Sequence, residues 1–368
     1  MNTTTLFFEL IQVSMGTRDT LSRAPSADEW TSLYKTAKKQ ALVGVCFEGV
    51  QRLFDKHREI VESFPNGLKM KWIGSEAATR GRNELLNLRC VEMQNRLSKD
   101  GFRTYIMKGQ GNAALYGNGL NMLRQPGDID IFLEGGYKRV MKYVGETYPT
   151  REVNELEIHY HCFQDVPVEI HYRPFIMRDP IKNARLQRFF RSENERCFTN
   201  AIELPNGIGT ITAPTPTFNI VHQLVHIKHH LFTEGIGLRQ LMDYCFVLRE
   251  AKAKPFDTAY VLQVISSLGL DCFAKSLMWV LQTVFALEDE ALFWTPDEKH
   301  GKLLLDEILR SGNFGQMSGE KRPKGLLGSF FYVNAKTLRF ACFDSSAWFW
   351  TPLWRLWHFC WRKVNGYK

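Results

Sequence analysis

The six residues Asp128-Ile129-Asp130-Ile131-Phe132-Leu133 dictate a strand and give it two faces that cannot share an environment. Side chains two apart on a strand point the same way. Asp128 and Asp130 therefore lie on one face, and Ile129, Ile131 and Leu133 on the other. A core explains the apolar face. Two neighbouring carboxylates repel unless a cation lies between them. An Asp-x-Asp pair also occurs on solvated sheet edges, so the flanking sequence has to decide.

Downstream, 157–163 and 168–173 are two β-type runs separated by Gln164-Asp165-Val166-Pro167, the pattern of a hairpin. In its second run Glu169, His171 and Arg173 share a face, while Val168, Ile170 and Tyr172 share the other. Placed beside the Asp strand, this hairpin brings a third carboxylate to Asp128 and Asp130. Three carboxylates can hold two Mg²⁺ about 4 Å apart. Mg²⁺ needs few protein carboxylates when substrate phosphates complete its shell.

Upstream, Phe102–Met107 reads as a strand bounded by Gly101 and Gly109, followed by a helix over 110–117. Lys108-Gly109-Gln110-Gly111 joins them. Glycine lets backbone approach a phosphate, a helix N-terminus attracts anions, and Lys108 adds a point charge. The GxxxxGK[ST] spacing of a Walker A loop is absent. Residues 119–127 form a loop carrying Arg124, which either contacts phosphate or pairs with an acid.

The flanks have helical texture. Ser26-Ala27-Asp28-Glu29 is a capping box, and Trp30, Leu33, Tyr34 and Ala37 follow at helical spacing. Leu86, Cys90, Met93 and Leu97 make a second stripe. Thr215-Pro216 starts another helix. Helices are expected over 137–147, 216–231, 237–250, 256–268, 271–286 and 297–311, with a loop over 312–326. With 368 residues the chain divides into an N-terminal helical region (1–100), a core (101–212) and a C-terminal helical domain with a basic, Trp-rich tail (213–368). The expected fold is α+β: a small mixed sheet flanked by helical regions.

His222, His226 and His230 recur on one helix face. No HExxH accompanies them, and a polar face lining a cleft is favoured over zinc. Arg239 and Asp243, at i and i+4, suit an ordinary helix pair. In the tail, Trp348, Trp350, Trp354, Trp357 and Trp361 fall within fourteen residues, and 336–368 holds six Lys/Arg against one Asp. A packed final helix is favoured, with RNA stacking or seating at a membrane interface as the alternatives.

The whole chain carries a formal +8, which suits polyanionic partners without choosing among them. Its eight cysteines form no CxxC pair and read as reduced thiols, the expectation for a cytoplasmic protein. The N-terminal run lacks the basic start of a signal peptide, and no apolar run approaches a membrane span.

The stretch Ile106-Met107-Lys108-Gly109, Leu115-Tyr116 and Leu123-Arg124-Gln125-Pro126-Gly127 into the Asp strand resembles the uncharacterised nucleotidyltransferases of the polymerase-beta-like superfamily. Val168-Glu169-Ile170-His171-Tyr172 resembles their third-carboxylate strand. The segment from His222 through Gly235-Ile236-Gly237-Leu238-Arg239-Gln240-Leu241-Met242-Asp243-Tyr244 resembles their helical part. The resemblance spans roughly 100–250. Lys108-Gly109 stands where the superfamily usually has Gly-Ser, and the gap to Asp128 is longer than usual.

The resemblance implies transfer of an NMP from an NTP, with ATP the expected donor, to an acceptor, with release of pyrophosphate. Asp128, Asp130 and Glu169 would be the catalytic, metal-holding residues, with two Mg²⁺ (or Mn²⁺). Lys108, Gly109, Gly111, Arg124, His171, Arg239 and Asp243 would bind the nucleotide. The acceptor is open: a small molecule is favoured, with tRNA or protein, as in toxin-type relatives, the alternative. A lapsed nucleotide-binding module is a third reading.

Overall fold

The computed structural model describes residues 3–254, 256–313 and 325–365. The chain opens with helices α1 (Thr3–Met15), α2 (Ala27–Lys39), α3 (Val43–Lys56) and the long α4 (Asn66–Lys99). The sheet segment follows: β1 (Thr104–Ile106), α5 (Gln110–Ala113), β2 (Ile129–Leu133), α6 (Gly136–Thr147), β3 (Glu157–His159) and β4 (Val168–His171). Next come α7 (Pro180–Thr199) and a small ladder of β5 (Ala201–Glu203) and β6 (Thr210–Thr212). The remainder is helical: α8 (Pro216–Phe232), α9 (Leu238–Ala253), α10 (Thr258–Ser267), α11 (Asp271–Phe285), α12 (Glu298–Ser311), α13 (Leu326–Arg339) and α14 (Ala347–Asn365). The class is α+β.

The main sheet has the order β1-β2-β4-β3. β1 runs antiparallel to β2, β2 parallel to β4, and β4 antiparallel to β3. The alternation read from sequence decides its faces. Ile129, Ile131, Leu133, Val168 and Ile170 are buried in one apolar cluster with Leu86, Cys90, Met93 and Leu97 of α4 and Val140 and Val144 of α6. The opposite face is apolar at one end, where Tyr105 stacks on Phe132 with ring centroids 4.8 Å apart, and polar at the other, where Asp130 sits.

A second, larger apolar cluster joins helices from both sides of the sheet segment, from Leu6 and Trp30 to Phe285, Ile308 and Phe343. Side chains cross the same boundary: Gln12 Nε2 donates to Thr283 O, and Gln40 Nε2 to Ile308 O. The helices before and after the sheet segment thus share one core.

Both expected helix starts are present. Ser26 and Glu29 form the reciprocal capping box of α2, and Thr215 caps α8 with Pro216 at its first position. The helix expected over 110–117 stops at Ala113, because Gly117-Asn118-Gly119 follows, with positive φ at Asn118 and Gly119. The hairpin strands are shorter than expected. Helix α7, begun by Asp179 as cap with Pro180 behind it, and the β5–β6 ladder were not anticipated. Most of the loop expected over 312–326 lies outside the described residues.

Candidate active site

Strand pairing builds the site. In the parallel β2–β4 ladder Asp130 is the register partner of Glu169. In the antiparallel hairpin Glu157 faces His171, and His159 faces Glu169. Donor atoms of Asp130, Glu157, Glu169 and His171 all lie within 4.8 Å of one another. Asp128, just before β2, lines the same cavity but stands outside this tight group.

Lys108 reaches in from the end of β1, its Nζ 2.7 Å from Asp130 Oδ1. His171 Nε2 lies 2.9 Å from the same oxygen and 3.1 Å from Glu157 Oε2. The ammonium and the imidazole occupy the acidic cluster as counter-charge and donor. Burial alone would lower the pKa of Lys108, but Asp130, then Glu157, Asp128 and Glu169, outweigh it and raise it. Burial would raise Asp130, yet Lys108 and His171 hold it well below the usual carboxylate range. The other two acids go the opposite way. Burial, with repulsion from Asp130, Glu157 and Asp128, pushes Glu169 up to about 9. Asp128 is raised chiefly by the charge of Asp130 and then by burial. One lysine cannot neutralise the cluster.

The turn after Lys108 is shaped by its glycines. Gly109 has φ +55, and Gly111 lies so near β1 that a Cβ would come within 2.8 Å of Ile106 O. Gly109 lines the cavity; Gly111 is buried and outside the lining, so its small size serves helix-to-strand packing. Arg173 is exposed and outside the lining.

Facing the sheet are α8, α9 and α14. Arg124 and Asp243 both line the cavity and are 5% and 3% exposed. They form a two-pronged ion pair: Arg124 Nε and Nη2 donate to Asp243 Oδ1 and Oδ2 at 2.7 and 2.8 Å. Tyr116 Oη also donates to Asp243, at 2.6 Å. Arg124 is therefore held by an acid, the second of its two expected roles. Arg239 Nη1 donates to Gln125 O at 3.1 Å, and burial, with the like charge of Arg124, brings its pKa down to about 10.

His226, His229 and His230 of α8 line the cavity, with His226 Nε2 and His230 Nε2 3.0 Å apart. His222 is fully buried, its Nε2 3.3 Å from Pro174 O. Burial, with Lys108 nearby, pushes His222 down to about 3, and His226 and His229 are also lowered by burial. Trp354 and His358, at i and i+4 on α14, complete the lining, and His358 Nε2 is 2.7 Å from Glu155 Oε2. The cavity measures about 520 Å³.

Glu157, Glu155, His229 and His358 were not picked out from sequence, and Trp354 was singled out only as one of the tail tryptophans. Glu157 had a signal: hairpin pairing places it opposite His171 by the same alternation that selected Glu169. Nothing in the sequence assigned Trp354 or His358 to this cavity, because only the tertiary fold brings that helix to the sheet.

A small mixed sheet that offers carboxylates from adjacent strands to a cavity beside a Lys-Gly turn has the architecture of a nucleotidyltransferase. Comparison with protein families agrees: the model of the uncharacterised nucleotidyltransferase family matches residues 26–286, and the chain belongs to that family. The match makes nucleotidyl transfer its general role. No curated protein and no solved structure matches the chain.

Proposed function

We propose that the chain is a metal-dependent nucleotidyltransferase that moves an NMP from an NTP, with ATP as the expected donor, to a small acceptor. The observation that carries this reading is the pairing of Asp130 with Glu169 on adjacent parallel strands, with Asp128 on the same cavity and Lys108 as the nearest cation. The donor set fits a hard divalent ion, being carboxylate oxygens with a single imidazole. Asp128, Asp130 and Glu169 would hold Mg²⁺ or Mn²⁺. Bound there, the metal would neutralise phosphate charge and lower the pKa of the attacking oxygen.

The protein's own groups divide the remaining work. Lys108, 2.7 Å from Asp130, would be free to meet a phosphate oxygen once the carboxylate charge was compensated. The backbone at Gly109 and the guanidinium of Arg239 lie on the same cavity and can bind the rest of the triphosphate. Arg124, held by Asp243, supports this wall and positions it. His171 orients Asp130 and Glu157. The acceptor oxygen attacks the α-phosphorus, the bond to the β-phosphate oxygen breaks, and pyrophosphate leaves. The acceptor proton passes to a carboxylate of the cluster, with Glu169 the favoured base.

A cavity of about 520 Å³, closed on one side by Trp354 and His358, falls within the ~300–1,000 Å³ of small-molecule sites. This favours a small acceptor over tRNA or protein. A lapsed module has no use for a repulsive carboxylate cluster. The cytoplasm, where nucleotides and reduced thiols coexist, is the proposed location.

The test is incubation of the protein with α-labelled NTPs, Mg²⁺ and fractionated cell extract. Label should move into a low-mass product, with pyrophosphate released, and Asp130→Asn should abolish both. Label appearing only in RNA or protein would refute the small acceptor. Label recovered only as free NDP or NMP would refute transfer.

A further inference from the structure

Helix α14 carries two unlike faces. Thr351, Trp354 and His358 point inward: Thr351 is fully buried and accepts a hydrogen bond from Arg178 Nη1 at 3.0 Å, and the other two line the cavity. Trp348, Phe349, Leu353, Leu356, Trp357 and Phe359 point the other way, each 44–64% exposed. At about 100° per residue these six fall on one half of the helix circumference. Lys363 lies within that arc, and Arg355 and Arg362 stand along its border. Helix α13, packed along α14, adds an exposed stripe of Phe331, Ala335 and Leu338. Surface this apolar is rarely left in water.

We propose that the outer face of α14 seats this protein on an anionic lipid bilayer, with the helix lying in the interface plane. Charge selects this occupant. Neither α13 nor α14 contains an Asp or Glu, and among the described residues no acid pairs with Arg362 or Lys363. A second copy meeting this face would bring like charges together with no acid on either helix to offset them. An anionic surface supplies the missing charge along the whole helix. The arrangement also speaks against RNA. Leu356 and Phe349 occupy the middle of the arc with Leu353 beside them, while Arg355 and Arg362 stand at its edge and Lys363 reaches out from within it. That is the order of an interfacial helix, with rings and aliphatic groups at the headgroup boundary and cations at lipid phosphate. Among the described residues no helix is long and apolar enough to cross a membrane, so the contact is peripheral.

The proposal is independent of the nucleotidyl-transfer reading. Its test is flotation of the full-length protein with vesicles of phosphatidylcholine alone and of phosphatidylcholine mixed with phosphatidylglycerol. Tryptophan emission and quenching by brominated lipid provide a second readout. The protein should float with the anionic vesicles, weakly with the neutral ones, and less as salt rises. Leu353→Glu with Leu356→Glu should abolish flotation while leaving the circular dichroism spectrum unchanged, since both positions are exposed. Arg362→Gln with Lys363→Gln, which keeps every apolar side chain of the arc, should weaken binding roughly 25-fold, each cation contributing about fivefold near such a surface. Three results would overturn the proposal: no flotation with either vesicle, a dimer in light scattering that Leu353→Glu dissolves, or RNA binding that the same variants remove while vesicles stay unbound.

Discussion

Two walls of one cavity carry rows of titratable groups; burial favours the neutral form on both, but only the sheet wall crowds like charges together. On the sheet wall Asp130, Glu157 and Glu169 are crowded together, with Asp128 on the same cavity and Lys108 2.7 Å from Asp130. On the facing helix wall His226 and His229, backed by His222, are held neutral at pH 7, because burial lowers the pKa of each ring. A carboxylate cluster built this way stores repulsion that an added cation relieves. A neutral imidazole wall stores none and can only offer hydrogen bonds. The comparison separates the wall that binds charge from the wall that shapes the space beside it.

The largest break in this contrast comes from Asp130→Asn. It removes the carboxylate that Lys108 and His171 both contact, at 2.7 and 2.9 Å. Transfer should fall by roughly 10³-fold or more if this acid helps hold the catalytic metal. His226→Gln on the other wall should cost at most about tenfold. Initial rates for the two variants at saturating Mg²⁺ check the contrast, and equal losses would erase it.

A stability measurement comes next. Arg124 and Asp243 form a buried pair between the sheet-side loop and α9. Asp243→Asn leaves Arg124 buried without its counter-charge and should cost about 3–5 kcal/mol in urea unfolding. A loss below about 1 kcal/mol would mean that water reaches this pair.

That pair also marks where the sequence stops being informative. The faces of β2 and β4 follow from period-two alternation, so Asp130 and Glu169 could be placed without coordinates. Arg124 and Asp243 are separated by 119 residues. Spacing suggested Arg239 as the partner of Asp243 because i, i+4 is a local rule, whereas the observed partner is set by the docking of α9 on the loop. Gly111 misled in a similar way: a glycine after a strand suits phosphate approach and close packing equally, and only the position of Ile106 O decides between them. Trp354 was legible as one of a row of tryptophans, but not as part of a cavity wall.

A third prediction uses pH. A histidine whose folded pKa is depressed binds fewer protons in the folded chain than in the unfolded one between the two values. Stability is therefore lost as pH falls through about 6.5 towards the folded value, which for His222 is about 3. Each such ring contributes up to about 1.4 kcal/mol per pH unit over that range. Glu169 tilts the other way in metal-free protein, because its raised pKa makes the folded state the better proton binder. The histidine contribution is therefore read as the difference between wild type and His222→Gln. That difference should shrink steadily from pH 6.5 to pH 4.5, and a flat difference would show that the ring is charged in the fold.

The smallest effect is the most direct probe of stored repulsion. Asp128 is raised first by the charge of Asp130 and then by burial, so without metal its ionised form opposes folding. A raised carboxyl contributes stability that is complete below its unfolded pKa and is lost as pH rises through its folded one. At neutral pH in EDTA, Asp128→Asn should therefore be slightly more stable than wild type, by about 1 kcal/mol or less for a group that still meets the cavity. The advantage should vanish as pH falls below about 4, where the unfolded carboxyl is protonated too. Mg²⁺ should then reverse the order. Wild type gains stability by binding the ion only in its folded state, and the variant, short of one ligand charge, gains less. Melting curves of both proteins with EDTA and with Mg²⁺ give the comparison. If the variant melts lower than wild type in EDTA, Asp128 is a satisfied structural acid and the sheet wall holds no excess charge. If Mg²⁺ raises both equally, the ion binds without Asp128, and the cluster of Asp130, Glu157, Glu169 and His171 is the whole of the metal site.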